Sequence, residues 1–376
     1  MPQKRKKIRV LECIRQGQVG GGESHLLSLS TNLNKDVFEP IVLSFTDGPM
    51  IDLLKGKGIE THIIFTEKPF NVFIWRKVKK LIKEKEIDIV HAHGTRANSN
   101  VFWAARSLHI PLIYTIHGWS FHDDQKPLVK KFRILSEKFL TSRTDVNISV
   151  SESNQQTGQK YLRSFTSAVV NNGIDQDKFN PAKNFTDIRK ELGIDKNATL
   201  LLFIARFTAH KQPLTLIRAF AAVLKKMPAI KLLMVGDGDE KKAALILAKE
   251  LSIQKSIIFL PFRQDVPAVL YAADIFILPS LWEGLPIGLL EAMSMGKAVI
   301  ATNVDGTSEI VRHNNNGYLI DIDHLQKELA EAILLLATDS VLRQKYGANA
   351  IETVTSHFNA ANMTRQIENI YTNLYK

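Results

Sequence analysis

Short runs of β-branched and other apolar residues alternate along the chain with stretches in which apolar residues recur at helical spacing. The predicted strands read IRVLECI, PIVLSF, THIIF, IDIVHAH and PLIYTIH and, after a looser stretch, ATLLLFIAR, IKLLMVG, SIIFLP, ADIFILPS and KAVIAT. Helical patterns follow from about residues 23, 71, 98, 213, 239 and 286. This alternation predicts an α/β fold with doubly wound parallel sheets.

The looser stretch near residues 173–185 separates two such sheets, and 376 residues suit two domains of common size. We expect a Rossmann-like N-terminal domain at 1–175 and a second at 176–357. Ligands of doubly wound folds bind beyond the carboxyl ends of the strands. Two such domains facing each other would form a central cleft, and the loops after the strands would carry the function.

Composition narrows the class of protein. Hydrophobic residues make up 45% and charged residues 23%, and no apolar run approaches the ~20 residues that span a bilayer. We therefore expect no integral membrane protein. The basic start precedes an apolar run that holds Arg9 and Glu12, which favours a strand over a signal peptide. The single cysteine, Cys13, excludes an intrachain disulfide and agrees with a cytoplasmic location.

The net charge of +11 is uneven, since residues 1–180 hold 27 Lys and Arg against 18 Asp and Glu. Basic clusters at Lys4–Lys7, Arg76–Lys85 and Lys126–Lys138 interleave with apolar residues. Such a surface suits an anionic membrane or an anionic lipid-linked substrate. Solvated helix faces without a partner are the alternative. Common nucleic-acid-binding motifs are lacking, so we expect no nucleic acid partner.

Gly20, Gly21 and Gly22 follow the first predicted strand and precede a helix expected from about Glu23. Backbone N–H groups at such a helix start favour a phosphate or another anion, although a tight turn is the alternative. The spacing is not the GxGxxG of dinucleotide sites, and neither a P-loop nor a GxSxG elbow is present. The sequence therefore does not favour a nicotinamide-dependent enzyme, a kinase or a hydrolase.

Arg206 and Lys211 follow the strand TLLLFIA and precede a helix that Pro213 can begin. Two cations at the carboxyl end of a strand favour an anion clamp over a pair of surface charges.

Histidines end two of the predicted strands. His117 follows PLIYTI, where it could donate a hydrogen bond, act as a base, or be satisfied by backbone carbonyls. His91 and His93 lie on one strand face, but no third ligand has a matching spacing, so we assign no metal. In the sequence GDGD, Asp237 and Asp239 are interpreted as caps of the next helix.

The stretch PSLWEGLPIGLLEAMSMG holds two carboxylates in apolar surroundings. A helix starting near Pro286 leaves Glu283 on the preceding loop and puts Glu291 in the second turn, on the same stripe as Ile287 and Ser294. A carboxylate on an apolar stripe calls for a partner or a ligand, although a partly exposed helix Glu is the alternative.

Taken together, these motifs resemble those of glycosyltransferase family 4, whose members have the GT-B fold. The resemblance rests on GGxE at 20–23, NGID at 172–175, Arg206 with Lys211, GDG at 236–238 and the Glu-x7-Glu element EGLPIGLLE. It runs nearly end to end and implies that the closing helix, about 358–376, crosses back onto the N-terminal domain.

The resemblance also implies roles for single residues. Glu291 would bind the nucleotide ribose, Glu283 the donor sugar, and Arg206 and Lys211 the diphosphate as its charge grows. His117 would lie near the donor sugar and acceptor. The remaining implied donor-site residues are Gly20, Gly21, Phe262, Arg263, Gly284, Leu285 and Pro286. Pro261 replaces a common glycine before Phe262, so the base cannot be inferred from this loop.

The expected function is that of a retaining glycosyltransferase. It would move a hexose from a nucleotide-diphosphate sugar, expected to be UDP-linked, to an acceptor hydroxyl of a cell-surface glycan or glycolipid, as in polysaccharide or lipopolysaccharide biosynthesis. No metal or other cofactor is expected, and the basic N-terminal domain would contact the inner face of the cytoplasmic membrane. The alternatives are another GT-B enzyme, such as a UDP-sugar epimerase, or a non-catalytic protein that binds nucleotide sugars or anionic lipids.

Overall fold

The computed structural model describes residues 6–18 and 20–375. The strands are β1 Ile8–Ile14, β2 Phe38–Ser44, β3 Glu60–Ile63, β4 Ile89–His93, β5 Leu112–Ile116, β6 Val146–Ser149, β7 Ala168–Val169, β8 Leu200–Ile204, β9 Lys231–Val235, β10 Ile257–Leu260, β11 Ile275–Leu278, β12 Ala298–Thr302 and β13 Tyr318–Ile320. The α-helices are α1 Gly21–Asn32, α2 Pro49–Gly56, α3 Val72–Glu84, α4 Thr95–Ser107, α5 Pro127–Thr141, α6 Glu152–Tyr161, α7 Ile188–Glu191, α8 Pro213–Leu224, α9 Lys241–Glu250, α10 Val266–Ala272, α11 Ile287–Ser294, α12 Thr307–Ile310, α13 Leu325–Thr338, α14 Ser340–His357 and α15 Ala360–Leu374. Lys4 and Arg5 of the first basic cluster lie outside the described residues.

Contacts divide the chain into two compact units. Unit 1 comprises Met1–Gly173 and Ala360–Lys376, and unit 2 comprises Ile174–Asn359. Among the described residues, the sheet of unit 1 has the order β3-β2-β1-β4-β5-β6-β7 and that of unit 2 the order β10-β9-β8-β11-β12-β13. The strand pairs in both sheets are parallel, so the predicted pair of doubly wound sheets is confirmed.

The order of strands places a topological switch point in each sheet. The chain winds outward in opposite directions from β1 and β4 in unit 1, and from β8 and β11 in unit 2. In such sheets a crevice opens beyond the carboxyl ends of the two strands at the switch. A binding site is therefore expected in the loops that follow these four strands.

Apolar periodicity explains how the helices cover the sheets. In α3 the buried side chains are Ile74, Val78, Leu81 and Ile82, which form one stripe. The amide side chain of Asn71 caps this helix by accepting from the N–H of Phe73. Elsewhere proline begins the helix, as Pro213 does in α8.

The closing helix α15 belongs to unit 1. Met363, Ile367 and Tyr371 pack with core residues of β1 and β4, among them Val10 and Ile89. The expected return of the last helix to the N-terminal domain is thus confirmed, and it brings the Tyr371 hydroxyl into the interior of that domain.

Candidate active site

The glycine-rich loop of unit 1 lies against His117. Helix α1 begins at Gly21, two residues earlier than predicted, with Gly20 extended before it. A Cβ on Gly22 would lie 3.4 Å from Cδ2 of His117, whereas a Cβ on Gly21 would meet nothing within 4 Å. The structure therefore brings the predicted anion loop and the predicted histidine together and leaves open space beside Gly21.

His117 follows the carboxyl end of β5, as predicted. Its Nε2 lies 3.1 Å from Nδ1 of His93, which ends β4 at the switch point. Its Nδ1 is buried and has no hydrogen-bond partner in the described part of the chain. Backbone carbonyls thus do not satisfy this imidazole, and the hydrogen-bonding capacity of its Nδ1 atom is unused.

A buried network that the sequence did not reveal lies behind His117. Glu12 of β1 is fully buried, and its carboxylate accepts from Nε2 of His93 at 2.9 Å and from the Tyr371 hydroxyl at 2.7 Å. His91 joins the network through Nδ1, 2.6 Å from the Tyr371 hydroxyl, and through Nε2, 2.7 Å from Oγ1 of Thr115. A charged residue in the middle of an apolar strand was the signal that could have pointed to it.

Burial sets the protonation of this cluster. Burial lowers the pKa of His93 to about 4, with help from His91, and it lowers the pKa of His25 to about 3, with help from His93. Burial and then His25 hold the pKa of His117 well below its ordinary value. For Glu12, burial alone would raise the pKa, but His91 and His93 outweigh it, and the pKa lies well below its usual range. Near neutral pH the cluster thus contains an ionised carboxylate and neutral imidazoles at 25, 93 and 117.

No third candidate ligand for His91 and His93 has a matching spacing along the chain, but side chains distant in sequence approach them in the fold. Glu12, His91 and His93 form one group and His25, His93 and His117 another, with one ligand atom of each residue within 4.8 Å of the others. These are the described residues that could hold a metal. Tetrahedral zinc with bonds of ~2.0–2.1 Å needs its nitrogen ligands only ~3.3 Å apart. Several of the ring nitrogens are also engaged in hydrogen bonds, so the groups fit a hydrogen-bonded network better than a closed metal site.

In unit 2 the loops that follow β8 and β11 are joined at the switch point. The ammonium group of Lys211 contacts the carboxylate of Glu283, and both side chains are largely buried. The rings of His210 and Trp282 stack with centroids 4.0 Å apart, and the N–H of Leu281 donates to the carbonyl of His210 at 2.8 Å. Three kinds of contact thus hold the predicted cation loop against the predicted carboxylate loop.

Arg206 lies just beyond β8 and is exposed. No ion pair or side-chain hydrogen bond from its guanidinium occurs within residues 6–18 and 20–375. Of the two predicted clamp cations, Arg206 is free for an anion, whereas Lys211 already neutralises Glu283.

The loop before α11 is tightly fitted. Glu283 lies on it as predicted, and its N–H donates to Oδ2 of Asp305 at 3.0 Å. Gly284, Leu285 and Pro286 are buried. A Cβ on Gly306 would lie 1.9 Å from the carbonyl oxygen of Gly284, so only glycine fits there. The surrounding backbone therefore fixes the position of Glu283.

Glu291 lies in the second turn of α11, as predicted, among the buried Ile287, Leu290 and Ser294. Burial raises the pKa of its carboxyl to about 7, and Lys178 only partly offsets this. Within the described residues the side chain has no hydrogen bond or ion pair. A half-buried carboxyl without a protein partner is suited to binding hydroxyl groups of a ligand.

Two further expectations concern loops of unit 2. Arg263 donates to both carboxylate oxygens of Glu191 and of Asp265 at 2.6–3.1 Å. This favours a structural role for the guanidinium, and contact with a nucleotide base stays a prediction for Arg263 and for Phe262, which is 38% exposed.

The capping role assigned to the GDGD aspartates is wrong. The N-cap of α9 is Glu240, without a side-chain cap, and Asp237 accepts from the N–H of Gly238. The glycines serve a close approach, since a Cβ on Gly236 would lie 2.1 Å from the carbonyl oxygen of Ala205. Gly236 also has a φ of +136°, which side chains rarely adopt.

Comparison with known proteins agrees with this geometry. The family model described as Glycosyltransferase Family 4 matches residues 19–178, and that of Glycosyl transferases group 1 matches residues 184–353. An Escherichia coli protein, UDP-Gal:alpha-D-GlcNAc-diphosphoundecaprenol alpha-1,3-galactosyltransferase, is 28% identical over 299 residues, which cover 78% of this chain and 77% of that protein.

Solved structures share the fold. HepE from Anabaena, in complex with UDP and glucose, has a TM-score of 0.86 at 23% identity, covering 97% of this chain and 100% of its own. WaaG, a glycosyltransferase involved in lipopolysaccharide biosynthesis, has a TM-score of 0.79 at 20% identity, with 96% and 99% covered.

The two parallel sheets and these matches define a GT-B glycosyltransferase. The chain belongs to glycosyltransferase family 4, as its Glu-x7-Glu element and glycine loop suggested.

Proposed function

We propose that the chain is a retaining glycosyltransferase that transfers a hexose from a UDP-sugar to an acceptor hydroxyl of a lipid-linked or cell-surface glycan. The observation that carries the proposal is the joined pair of loops in unit 2, with Lys211 against Glu283 and Arg206 unpaired nearby in sequence. A nucleotide diphosphate needs cations, and a sugar and a ribose need carboxylate acceptors. A relative named for UDP-galactose, and structures that contain UDP, support the donor.

The residues of unit 2 divide the donor between them. Arg206 and Lys211 would bind the diphosphate, and they act most strongly when its negative charge grows as the bond from the anomeric carbon to oxygen breaks. Glu283 would accept from the sugar hydroxyls and Glu291 from the ribose hydroxyls. Gly284, Leu285 and Pro286 would contact the donor beside Glu283. Gly20 and Gly21 of unit 1 would contribute backbone N–H groups for the phosphates.

In the chemical step, the departing phosphate oxygen of the donor would act as the base. The acceptor hydroxyl forms the new bond to the anomeric carbon on the face that the diphosphate leaves, and its proton passes to the departing phosphate oxygen. Configuration is then retained without an enzymic nucleophile. No metal is needed in this scheme because Arg206 and Lys211 supply the positive charge.

An exposed apolar surface on unit 1 supports contact with an anionic membrane. We use the name α3–α5 surface for two groups of exposed apolar side chains, one before and at the start of α3 and one on α5: Phe65, Val72, Phe73, Leu128, Phe132 and Leu135. Leu128, Phe132 and Leu135 follow one stripe of α5, and Phe73 at the start of α3 is 88% exposed. Exposed cations border this stripe, among them Lys126, Lys131 and Arg133. Apolar side chains flanked by cations suit the interface of an anionic bilayer.

Such attachment would hold the enzyme at the inner face of the cytoplasmic membrane, where lipid-linked acceptors are accessible. Within residues 6–18 and 20–375, none of the helices combines the length and apolarity that crossing a bilayer requires. Any attachment of the described helices to the membrane would therefore be at its surface, through the α3–α5 surface.

The test is donor turnover by the purified chain with a panel of nucleotide sugars and diphosphoundecaprenyl-linked acceptors. We expect transfer from a UDP-hexose, and an NMR coupling at the new anomeric centre that shows the configuration of the donor. An inverted product would refute retention. Release of an epimerised sugar without acceptor would favour an epimerase, and nucleotide binding with neither transfer nor donor hydrolysis would exclude an enzyme.

A further inference from the structure

The hydrogen-bond network of unit 1 fixes the position of each proton, beginning at Glu12. An ionised carboxylate only accepts hydrogen bonds, so Nε2 of His93, 2.9 Å from Oε2 of Glu12, carries a hydrogen. His93 is neutral near pH 7, since burial and His91 lower its pKa to about 4. A neutral imidazole has one N–H, and Nδ1 of His93 is therefore an acceptor.

The same reasoning extends to His117. Its Nε2 lies 3.1 Å from the acceptor Nδ1 of His93, so Nε2 of His117 carries the hydrogen and donates it. The remaining nitrogen, Nδ1 of His117, then has a lone pair and no hydrogen. That atom is buried and has no partner in the described part of the chain.

His25 reaches the same state by a separate contact. Its Nδ1 donates to Oδ1 of Asn172 at 2.9 Å, which leaves Nε2 as a buried acceptor without a partner in residues 6–18 and 20–375. The His25 and His117 rings meet edge to face, with centroids 4.8 Å apart. Two neighbouring imidazoles thus each keep one unused lone pair.

A buried acceptor without a donor costs ~1–3 kcal/mol, so two of them favour a ligand that brings hydrogens. An anion without O–H hydrogens, such as sulfate, has only lone pairs and would be repelled. A group with several hydroxyl hydrogens, as a sugar has, would satisfy both nitrogens. This polarity contrasts with the N–H groups at the start of α1 near Gly22, which favour an anion.

We propose that Glu12, acting through His93, is a positioning residue that holds His117 in its Nε2–H form, so that His117 and His25 accept hydrogen bonds from the hydroxyl groups of a sugar. The inference rests on the proposed function, because a glycosyltransferase handles such hydroxyls. It adds a second acceptor, His25, and assigns the nitrogen through which each histidine acts.

The test is 15N NMR of the chain labelled in its histidines, which distinguishes protonated from unprotonated ring nitrogens without any activity. His25→Gln and His117→Gln identify the two sets of signals. We expect Nε2–H for His117 and Nδ1–H for His25 in the unmodified chain. The opposite protonation of His117 would overturn the proposal.

His93→Phe and His91→Phe form a matched pair of variants. Both residues are buried beside Glu12, but only His93 contacts His117. We expect His93→Phe to give a mixture of both His117 tautomers, and His91→Phe to leave the His117 signal single. Where His93→Phe does not fold, Glu12→Gln serves instead, since loss of the charge lets His93 adopt both tautomers. A single, unchanged His117 signal in His93→Phe or in Glu12→Gln contradicts the role of Glu12.

The ligand class is tested by titration with methyl hexosides and, separately, with sulfate, an anion without O–H hydrogens. We expect a hexoside to shift Nδ1 of His117 and Nε2 of His25, and sulfate to shift neither. Shifts caused by sulfate alone, or the absence of shifts with every hexoside in the panel, would refute the sugar assignment. Absence of glycosyl transfer would refute the proposed function and leave these tautomers as measured, so the two failures are distinguishable.

Discussion

The imidazole of His210 lies flat on the indole of Trp282, with ring centroids 4.0 Å apart and planes 8° from parallel. These residues belong to the loops that follow β8 and β11, and they adjoin Lys211 and Glu283 in sequence. The stack therefore fixes the separation of two loops whose charged side chains are proposed to bind the donor.

We expect Trp282→Ala to weaken donor binding more than it weakens the fold. Stacked aromatic pairs contribute ~0.5–1.5 kcal/mol, so the loss of stability should be modest, whereas the loosened loops should raise KM for the donor several-fold. Calorimetry with UDP and a thermal melt separate the two effects.

Trp103→Ala is the matched control, because Trp103 stacks on Trp75 in unit 1, with centroids 5.6 Å apart, outside these loops. Equal losses of UDP affinity in both variants would show that stacking near Lys211 has no special role.

The pair Lys211–Glu283 predicts a second set of effects. Lys211→Met removes a cation that the diphosphate needs and leaves a largely buried carboxylate unpaired. We expect kcat to fall by ~10²-fold, as for the loss of one electrostatic donor, together with a lower melting temperature. Lys211→Met/Glu283→Leu should recover part of the stability but none of the activity.

Lys130→Met provides the comparison. Lys130 pairs with Asp123 in unit 1, but Asp123 is 85% exposed, so breaking that pair should cost less than ~1 kcal/mol and leave the affinity for UDP unchanged. If Lys211→Met behaved as Lys130→Met does, the diphosphate role of Lys211 would be refuted.

Glu291 predicts a pH dependence of nucleotide binding. Burial raises the pKa of this carboxyl to about 7, so it is increasingly protonated below pH 7. An ionised carboxylate accepts ribose hydroxyl hydrogens better, and UDP should therefore bind more tightly at pH 8 than at pH 6. In the absence of ligand, pH affects the stability of the fold through Glu291 in the opposite direction. The contribution of Glu291 to the free energy of unfolding is complete below its ordinary pKa of 4.5 and is lost as pH rises through 7.

Glu291→Gln tests this assignment, because it keeps the shape of the side chain and removes its titration. We expect weaker UDP binding and an affinity that depends less on pH. Calorimetry between pH 6 and 8, about one unit on either side of the pKa of Glu291, measures both. A wild-type affinity in Glu291→Gln would contradict the ribose role.

Much of the fold was predictable because its signals are local. Strands such as β8 are continuous apolar runs, and Pro213 and Pro286 mark helix starts that the structure confirms. Glu283 and Glu291 were located correctly for the same reason. The helix start at Pro286 leaves Glu283 on the preceding loop, and helix periodicity places Glu291 on the apolar stripe. Short or polar elements, such as β7 with its two residues, have no comparable pattern and were not predicted.

The apolar strand around Glu12 could have indicated a buried charge, but the partners of Glu12 could not be predicted, because they depend on strand order and on distant parts of the chain. Glu12 bonds Tyr371 across 359 positions, and Glu12 faces His91 only because β1 pairs with β4 in that register. Sequence spacing gave no third partner for His91 and His93, whereas the parallel sheet supplied one from the neighbouring strand.

The same network predicts that unit 1 loses stability in mild acid. The pKa values of His25 and His93 are lowered in the fold to about 3 and about 4, so their contribution is complete above the ordinary value of 6.5 and is lost as pH falls below it. Glu12 acts in the same direction at lower pH, because its pKa is depressed. Hydrogen exchange between pH 7 and 4 should show unit 1 opening earlier than unit 2. His25→Gln should reduce the difference, and an unchanged difference would contradict the assignment.

The α3–α5 surface predicts binding to anionic vesicles. Burying the side chains of Leu128, Phe132 and Leu135 would contribute ~1.5–3 kcal/mol each if complete, so Leu128→Ser/Phe132→Ser/Leu135→Ser should lower the partition coefficient at least ~10-fold even if burial is partial. Salt should weaken binding of the unmodified chain, since Lys126 and its neighbouring cations are exposed to solvent and screened.

Leu245→Ser/Ile246→Ser is the matched control, because these apolar residues of α9 in unit 2 are 47% and 50% exposed but lie outside the α3–α5 surface. Sedimentation with vesicles of phosphatidylglycerol, and with neutral phosphatidylcholine vesicles for comparison, measures both variants. Equal losses of vesicle binding in the two variants would show nonspecific binding through exposed apolar residues. Equal binding to anionic and neutral vesicles would show that the cations do not contribute. Loss confined to the α5 triple variant, on anionic vesicles only, is the result that a membrane-facing surface requires, since apolar insertion and charge attraction must then act at the same place.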